Sequence, residues 1–116
     1  MAKTASGKTV PPTRVTIRLD LASGGRIGPG KIALLETIAE TGSIAAASRA
    51  LGMSYPRAWK LVEELDAALG EPVVSRAPGG RNGGGATLTE AGRTLILRYR
   101  AVEMAAQRAA DRSPAA

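Results

Sequence analysis

The chain has 116 residues, 16 Lys and Arg against 10 Asp and Glu, a net charge of +6, and neither His nor Cys. Without imidazoles or thiols it has no disulfide, no thiolate nucleophile, no histidine base and none of the commonest transition-metal ligands; enzyme chemistry, a metal and a cofactor are therefore not expected. The length fits one domain, and the positive balance points to an anionic partner, nucleic acid ahead of a membrane surface.

Apolar residues make up 44% of the chain, yet there is no Phe, one Trp and two Tyr. The core is expected to be Leu, Ile, Val and Ala, thin enough for a second subunit to help it. The opening "MAKTASGKTVPPTR" has charge but no apolar run behind it, so residues 1–13 read as a disordered arm and not as a signal or an anchor. No stretch approaches the ~20 apolar residues of a spanning helix, and a cytoplasmic protein without a membrane partner is expected.

From Val15, "VTIRLDL" alternates apolar and polar residues with the period of a half-buried strand. Gly24 and Gly25 then permit a hairpin that returns through Arg26 and Ile27. Pro29 suits a first helical turn, and Ile32, Leu35, Ile38 and Ala39 form the stripe of a helix stopping at Gly42. Ser43 caps a two-turn helix from Ile44 to Leu51, striped by Ile44, Ala47 and Leu51 and ended by Gly52.

Ser54 caps a third helix reaching Leu69, with Ala58, Leu61, Val62, Leu65 and Leu69 on one face. After Gly70, "EPVVSRA" and "ATL" read as strands around a glycine-rich loop. Thr89 caps a last helix, Glu90 to about Ala110, before a tail at 111–116. The expected fold is mainly α with small β: a winged helix-turn-helix over 14–110 with an N-terminal strand hairpin and a long C-terminal dimerisation helix.

Two helices joined by a short turn containing Gly52 have the spacing of a helix-turn-helix, whose second member enters the major groove of DNA. Ser54, Tyr55, Arg57 and Lys60 occupy the N-terminal half of that helix, and Glu63 and Glu64 come only later. This polarity suits groove entry, with Arg57 suited to guanine O6 and N7. The competing reading is an ordinary charged outer face.

The tract "GGRNGGG" fits neither the P-loop pattern nor the dinucleotide pattern, since no Lys-Ser or Lys-Thr follows its glycines. Placed after a groove-reading helix it reads as a wing along the DNA backbone. Arg76, Arg81, Asn82, Gly83 and Gly84 are the expected wing contacts, with Ser43 and Arg49 as further backbone contacts. A surface loop without a role is the alternative. In the last helix Leu95, Tyr99, Val102 and Ala106 repeat at spacings of four, three and four, a seam expected to join two copies over an inverted-repeat operator, with a frayed tail as the alternative because the seam weakens to alanine.

"VTIRLDL", "ETGSIAAASRALGMSYPRAWKLVEEL" and "GEPVVSRAPGGRNGGGATLTEAGRTLI" together resemble the N-terminal DNA-binding domain of ModE-type molybdate-responsive transcriptional regulators, over about residues 15–103. The "LTEAG" element is shared more weakly with LysR-type regulators. The resemblance implies a winged helix, a homodimer and control of molybdenum-related genes. It points to Ser54, Tyr55, Arg57 and Lys60 for groove contacts and to Arg76, Arg81 and the glycines for the wing.

Pro56, Lys60 and Asn82 depart from the family pattern, which puts the base preference in question. Full-length family members carry C-terminal oxyanion-binding domains with a "SARNQ"-like motif, which is not found before the end at "AADRSPAA", so molybdate binding is not expected. The composite expectation is a sequence-specific DNA-binding regulator acting on double-stranded DNA as a homodimer. The alternatives are a protein-interaction winged helix and a non-specific architectural DNA binder.

Overall fold

The computed structural model describes residues 12–77 and 85–112. The element order is β1 (Leu19–Asp20), β2 (Arg26–Ile27), α1 (Pro29–Thr41), α2 (Ile44–Ala50), α3 (Tyr55–Leu69), β3 (Val74–Arg76), β4 (Ala86–Leu88) and α4 (Glu90–Arg112). Two antiparallel pairs, β1–β2 and β3–β4, flank a helical body.

Local chemistry sets most of the boundaries. Gly42 and Gly70 end α1 and α3 in the left-handed conformation, at φ 72° and 74°, where a β-carbon would be strained. Ser43 accepts the Ala46 N–H at 3.0 Å and Ser54 the Arg57 N–H at 3.2 Å, so each supplies a partner for an otherwise unbonded first-turn donor. Pro56 lies in the first turn of α3, where its missing N–H costs nothing, so its departure from the family pattern leaves the helix intact.

The core gathers around α1, which packs against α2, α3, α4, β2 and β4. Ile32, Leu34, Leu35 and Ile38 are fully buried there, with Ala47, Ala58, Leu65, Val73 and Tyr99. Two expected stripe positions are corrected. Ala39 is exposed and Leu34 takes its place inside, because a helix covered on several sides buries more than one stripe. Leu51 is also exposed: at φ −96° and ψ 2° it has left the helix, and Met53 packs against the core from the turn beyond.

The N-terminal strand is shorter than its alternation suggests. Only Leu19 and Asp20 pair, with Ile27 and Arg26, because Pro29 turns the returning chain into α1 after two residues. Residues 15–18 are nevertheless extended, and Val15, Ile17, Leu19 and Leu21 are half-buried between exposed neighbours. Side chains of α4 take up backbone groups in place of a strand. The Tyr99 hydroxyl donates to the Ile17 carbonyl at 2.8 Å, and Gln107 accepts the Val15 N–H at 2.9 Å and donates to the Thr13 carbonyl at 2.8 Å. Thr13, the last residue of the expected arm, is thus held; residues 1–11 and 113–116 lie outside the described residues, and α4 extends two residues beyond Ala110.

The foot of α4 is fastened to the body through Thr89 and Gly92. Thr89 donates its hydroxyl to the Pro72 carbonyl at 2.7 Å and accepts the Gly92 N–H at 3.1 Å. A β-carbon on Gly92 would run into the Val73 carbonyl oxygen, so the helix abuts the chain just before β3 at a glycine. This is the physical content of the "LTEAG" element. Higher up, Arg100 on α4 clamps Glu36 of α1 through two hydrogen bonds of 3.0 and 2.7 Å and holds Glu103 at 2.7 Å.

Candidate nucleic-acid interface

Four residues, Leu51 to Ser54, connect α2 to α3, with Gly52 at φ 69° making the turn. Buried Ser48 stiffens it: its hydroxyl donates to the Ala45 carbonyl at 2.7 Å, and its own carbonyl accepts the Met53 N–H at 2.9 Å. The apolar side of α3, Ala58, Val62 and Leu65, is held on the body, so Ser54, Tyr55, Arg57 and Lys60 are left exposed. The Ser54 oxygen serves as a cap, but its hydroxyl proton remains available to donate.

The two acids further along α3 differ. Glu64 pairs with Lys31 of α1 at 3.2 Å, and Lys31 also donates to the Arg26 carbonyl. That carboxylate is therefore paired across the surface with α1, away from the basic N-terminal half. Among the described residues, Arg49, Arg57, Lys60 and Arg76 take part in none of the ion pairs, which involve Arg18–Asp20, Lys31–Glu64 and Arg100 with Glu36 and Glu103.

The stem of the wing follows directly. β3 and β4 pair Val74 with Leu88, Ser75 with Thr87 and Arg76 with Ala86, and the Ala77 N–H donates to the Gly85 carbonyl at 2.9 Å. The Ala86 N–H bonds the Gly42 carbonyl at 2.9 Å, and Asp66 of α3 accepts the Val73 N–H at 2.9 Å. The stem is thus fixed to the ends of both α1 and α3. Arg81, Asn82, Gly83 and Gly84 lie outside the described residues.

Trp59 was not among the contacts expected from the residues alone, whereas Arg76 was. The Arg76 guanidinium carbon lies 4.3 Å from the Trp59 ring centroid, and Trp59 meets Tyr55 edge to face at 6.3 Å and 84°. The available signal was the spacing of Tyr55 and Trp59, one turn apart on α3. Ser43 caps α2 half-buried, and Arg49 is exposed in its last turn.

The expected dimer seam is corrected in part. Leu95 is 7% exposed and Tyr99 is fully buried, both inside the protein's own core, so neither offers surface to a second copy. The physical reason is that the four-three repeat marks the side of α4 turned toward α1 and the N-terminal strand. Val102 is 48% exposed and Ala106 half-buried; on the outer side Leu97 and Met104 are 70% and 56% exposed.

A helix-turn-helix followed by a β-hairpin stem on the same surface defines a winged helix. The chain belongs to the lysR family of bacterial regulatory helix-turn-helix proteins, whose family model matches residues 30–93. It is 51% identical over 81 residues to the molybdenum-pterin-binding protein MopB of Rhodobacter capsulatus, covering 70% of this chain and 30% of that protein. It is 40% identical over 83 residues to the DNA-binding transcriptional dual regulator ModE of Escherichia coli K12, covering 72% and 32%.

The chain thus spans about a third of the length of these curated relatives. Among solved structures it resembles the DNA-binding domain of CbnR in complex with DNA, with a TM-score of 0.57, 31% identity, and coverage of 74% of this chain and 93% of that one. Among the described residues no helix is long and apolar enough to cross a membrane.

Proposed function

We propose that this chain is a cytoplasmic, sequence-specific regulator of transcription that inserts α3 into the major groove of double-stranded DNA. The observation that carries this reading is the chemistry of the exposed half of α3. Arg57 and Lys60 stand beyond a capped, rigidly seated N-terminus with no carboxylate pairing them among the described residues, while Glu64 is withdrawn to Lys31. Ser54 and Tyr55 add hydroxyl donors, and Arg76 brings the wing stem to the same helix. Arg49, Ser43 and the wing residues Arg81, Asn82, Gly83 and Gly84 serve the sugar-phosphate backbone.

The protein acts as a homodimer on an inverted repeat. Leu97, Val102 and Met104, exposed on α4, support this, because apolar side chains on a helix of about 35 Å are more stable against a second copy than in water. Target promoters among molybdenum-related genes are the reading that the names of the similar proteins MopB and ModE support.

The test is selection of bound sequences from random duplexes at physiological salt with excess competitor. An enriched inverted repeat is the expected result. Retention without a motif replaces specific reading with architectural binding, and no retention overturns DNA binding. Sedimentation of the protein with Met104→Arg, expected to be monomeric where the native chain is dimeric, tests the α4 face.

A further inference from the structure

Arg76 is the last residue of β3, paired with Ala86, and stands immediately before the Ala77–Gly85 closure of the stem. A side chain at such a place ordinarily samples many rotamers, and ordering it on a ligand would weaken binding. Here its guanidinium carbon lies 4.3 Å from the centroid of Trp59. Trp59 itself has little freedom: it packs against the core from α3 and its ring meets Tyr55 at 6.3 Å in a T-shaped contact. Stacking on a ring uses the face of a guanidinium and leaves the N–H groups in its plane free to donate. Among the described residues no carboxylate pairs with Arg76.

We infer that Trp59 is a positioning residue for Arg76: the stack fastens the wing stem to α3 and holds the Arg76 fork ready for one backbone phosphate in register with the groove contacts of α3. The inference rests on the DNA-binding reading. A phosphate oxygen suits this fork because a planar donor pair matches two acceptor oxygens, and because a contact anchored on the helix keeps a fixed offset from the bases that the helix meets. The cation–π contact also resists screening better than a bare surface charge would, since one face of the cation is already out of water.

The probe is a fluorescein-labelled random-sequence duplex, titrated by anisotropy over a series of salt concentrations with the full chain. Arg76→Ala is expected to reduce the slope of log affinity against log salt by about 0.9, the signature of one phosphate contact. Trp59→Leu is expected to weaken binding roughly two- to fivefold and Trp59→Phe less, with Trp59→Leu adding nothing in the Arg76→Ala background. Additive losses would overturn the positioning role, and an unchanged slope for Arg76→Ala would overturn the phosphate contact.

A second readout does not depend on Trp59 variants folding. Trp59 is the one tryptophan of the chain, so its emission reports the stack directly. Arg76→Ala is expected to shift that emission in the free protein while Arg57→Ala leaves it alone; an emission indifferent to Arg76 would overturn the stack. Failure of the native chain to bind the duplex at any salt would instead remove the DNA-binding reading, and this inference with it, even with the emission shift in place.

Discussion

Two arginines lie against aromatic rings, and they do opposite work. Arg76 is stacked on Trp59 at 4.3 Å, and Arg100 lies 5.6 Å from the ring centroid of Tyr99. Each of the three Arg100 guanidinium nitrogens donates to Glu36 or Glu103, and these hydrogen bonds raise its pKa further above its already high ordinary value. It joins α1 to α4 and has little left to offer a ligand. The Arg76 fork has no such carboxylates among the described residues, so its donors remain available. Both are arginines beside an aromatic ring; the state of the donors separates a clasp from a ligand-ready side chain.

The same contrast divides the molecule. Around α4, α1 and the N-terminal strand, polar groups are bonded to one another, while along the N-terminal half of α3 Tyr55, Arg57 and Lys60 face outward. The two regions share one core, so the harshest way to break the contrast is to damage what supports both. Leu35→Ala, at a fully buried site of α1, should cost about 2–5 kcal/mol of unfolding free energy. Denaturant titration should show Trp59 emission and helical circular dichroism lost together; separate transitions would show that the regions fold independently.

The next effect belongs to the outward-facing side alone. Arg57→Ala should cost about 1–3 kcal/mol of binding to the selected duplex while changing unfolding free energy by under about 0.5 kcal/mol. Equal losses on selected and random duplexes would make Arg57 a backbone contact. Tyr99→Phe reverses the pattern. It leaves the Ile17 carbonyl without its donor, at about 1–2 kcal/mol of stability, with affinity for the duplex unchanged at temperatures where the protein stays folded.

The smallest effect is one of pH. Burial raises the Tyr99 phenol above its ordinary value of 10.0, with Glu103 and Glu36 adding to the rise and Arg100 opposing it. The folded state therefore holds this proton more tightly than the unfolded chain does. Its contribution to stability is whole below pH about 10 and is lost as pH rises through the raised value. Melting temperatures of the native chain should fall more steeply above pH 10 than those of Tyr99→Phe; parallel curves would show that Tyr99 does not titrate in the fold.

Much of this was legible in the residues because it depends on near neighbours. Caps at Ser43 and Ser54, stops at Gly42 and Gly70, Pro56 in a first turn and the buried face of α3 are decided within a few positions of chain, where hydrogen-bond geometry and helical period leave few choices. The exposure of Ser54, Tyr55, Arg57 and Lys60 follows from the same period. Tertiary packing decided the rest. Leu95 and Tyr99 have the spacing of a seam, but only α1 and the N-terminal strand determine that the seam closes on the protein itself. Leu51 leaves its stripe because the turn ends the helix before it, and Leu34 goes inside because several elements surround α1. Trp59 and Arg76 meet only once a strand is laid beside α3. Local periodicity determines which way a side chain points from its own helix; what it meets there depends on elements remote in the chain, whose approach only the assembled core settles.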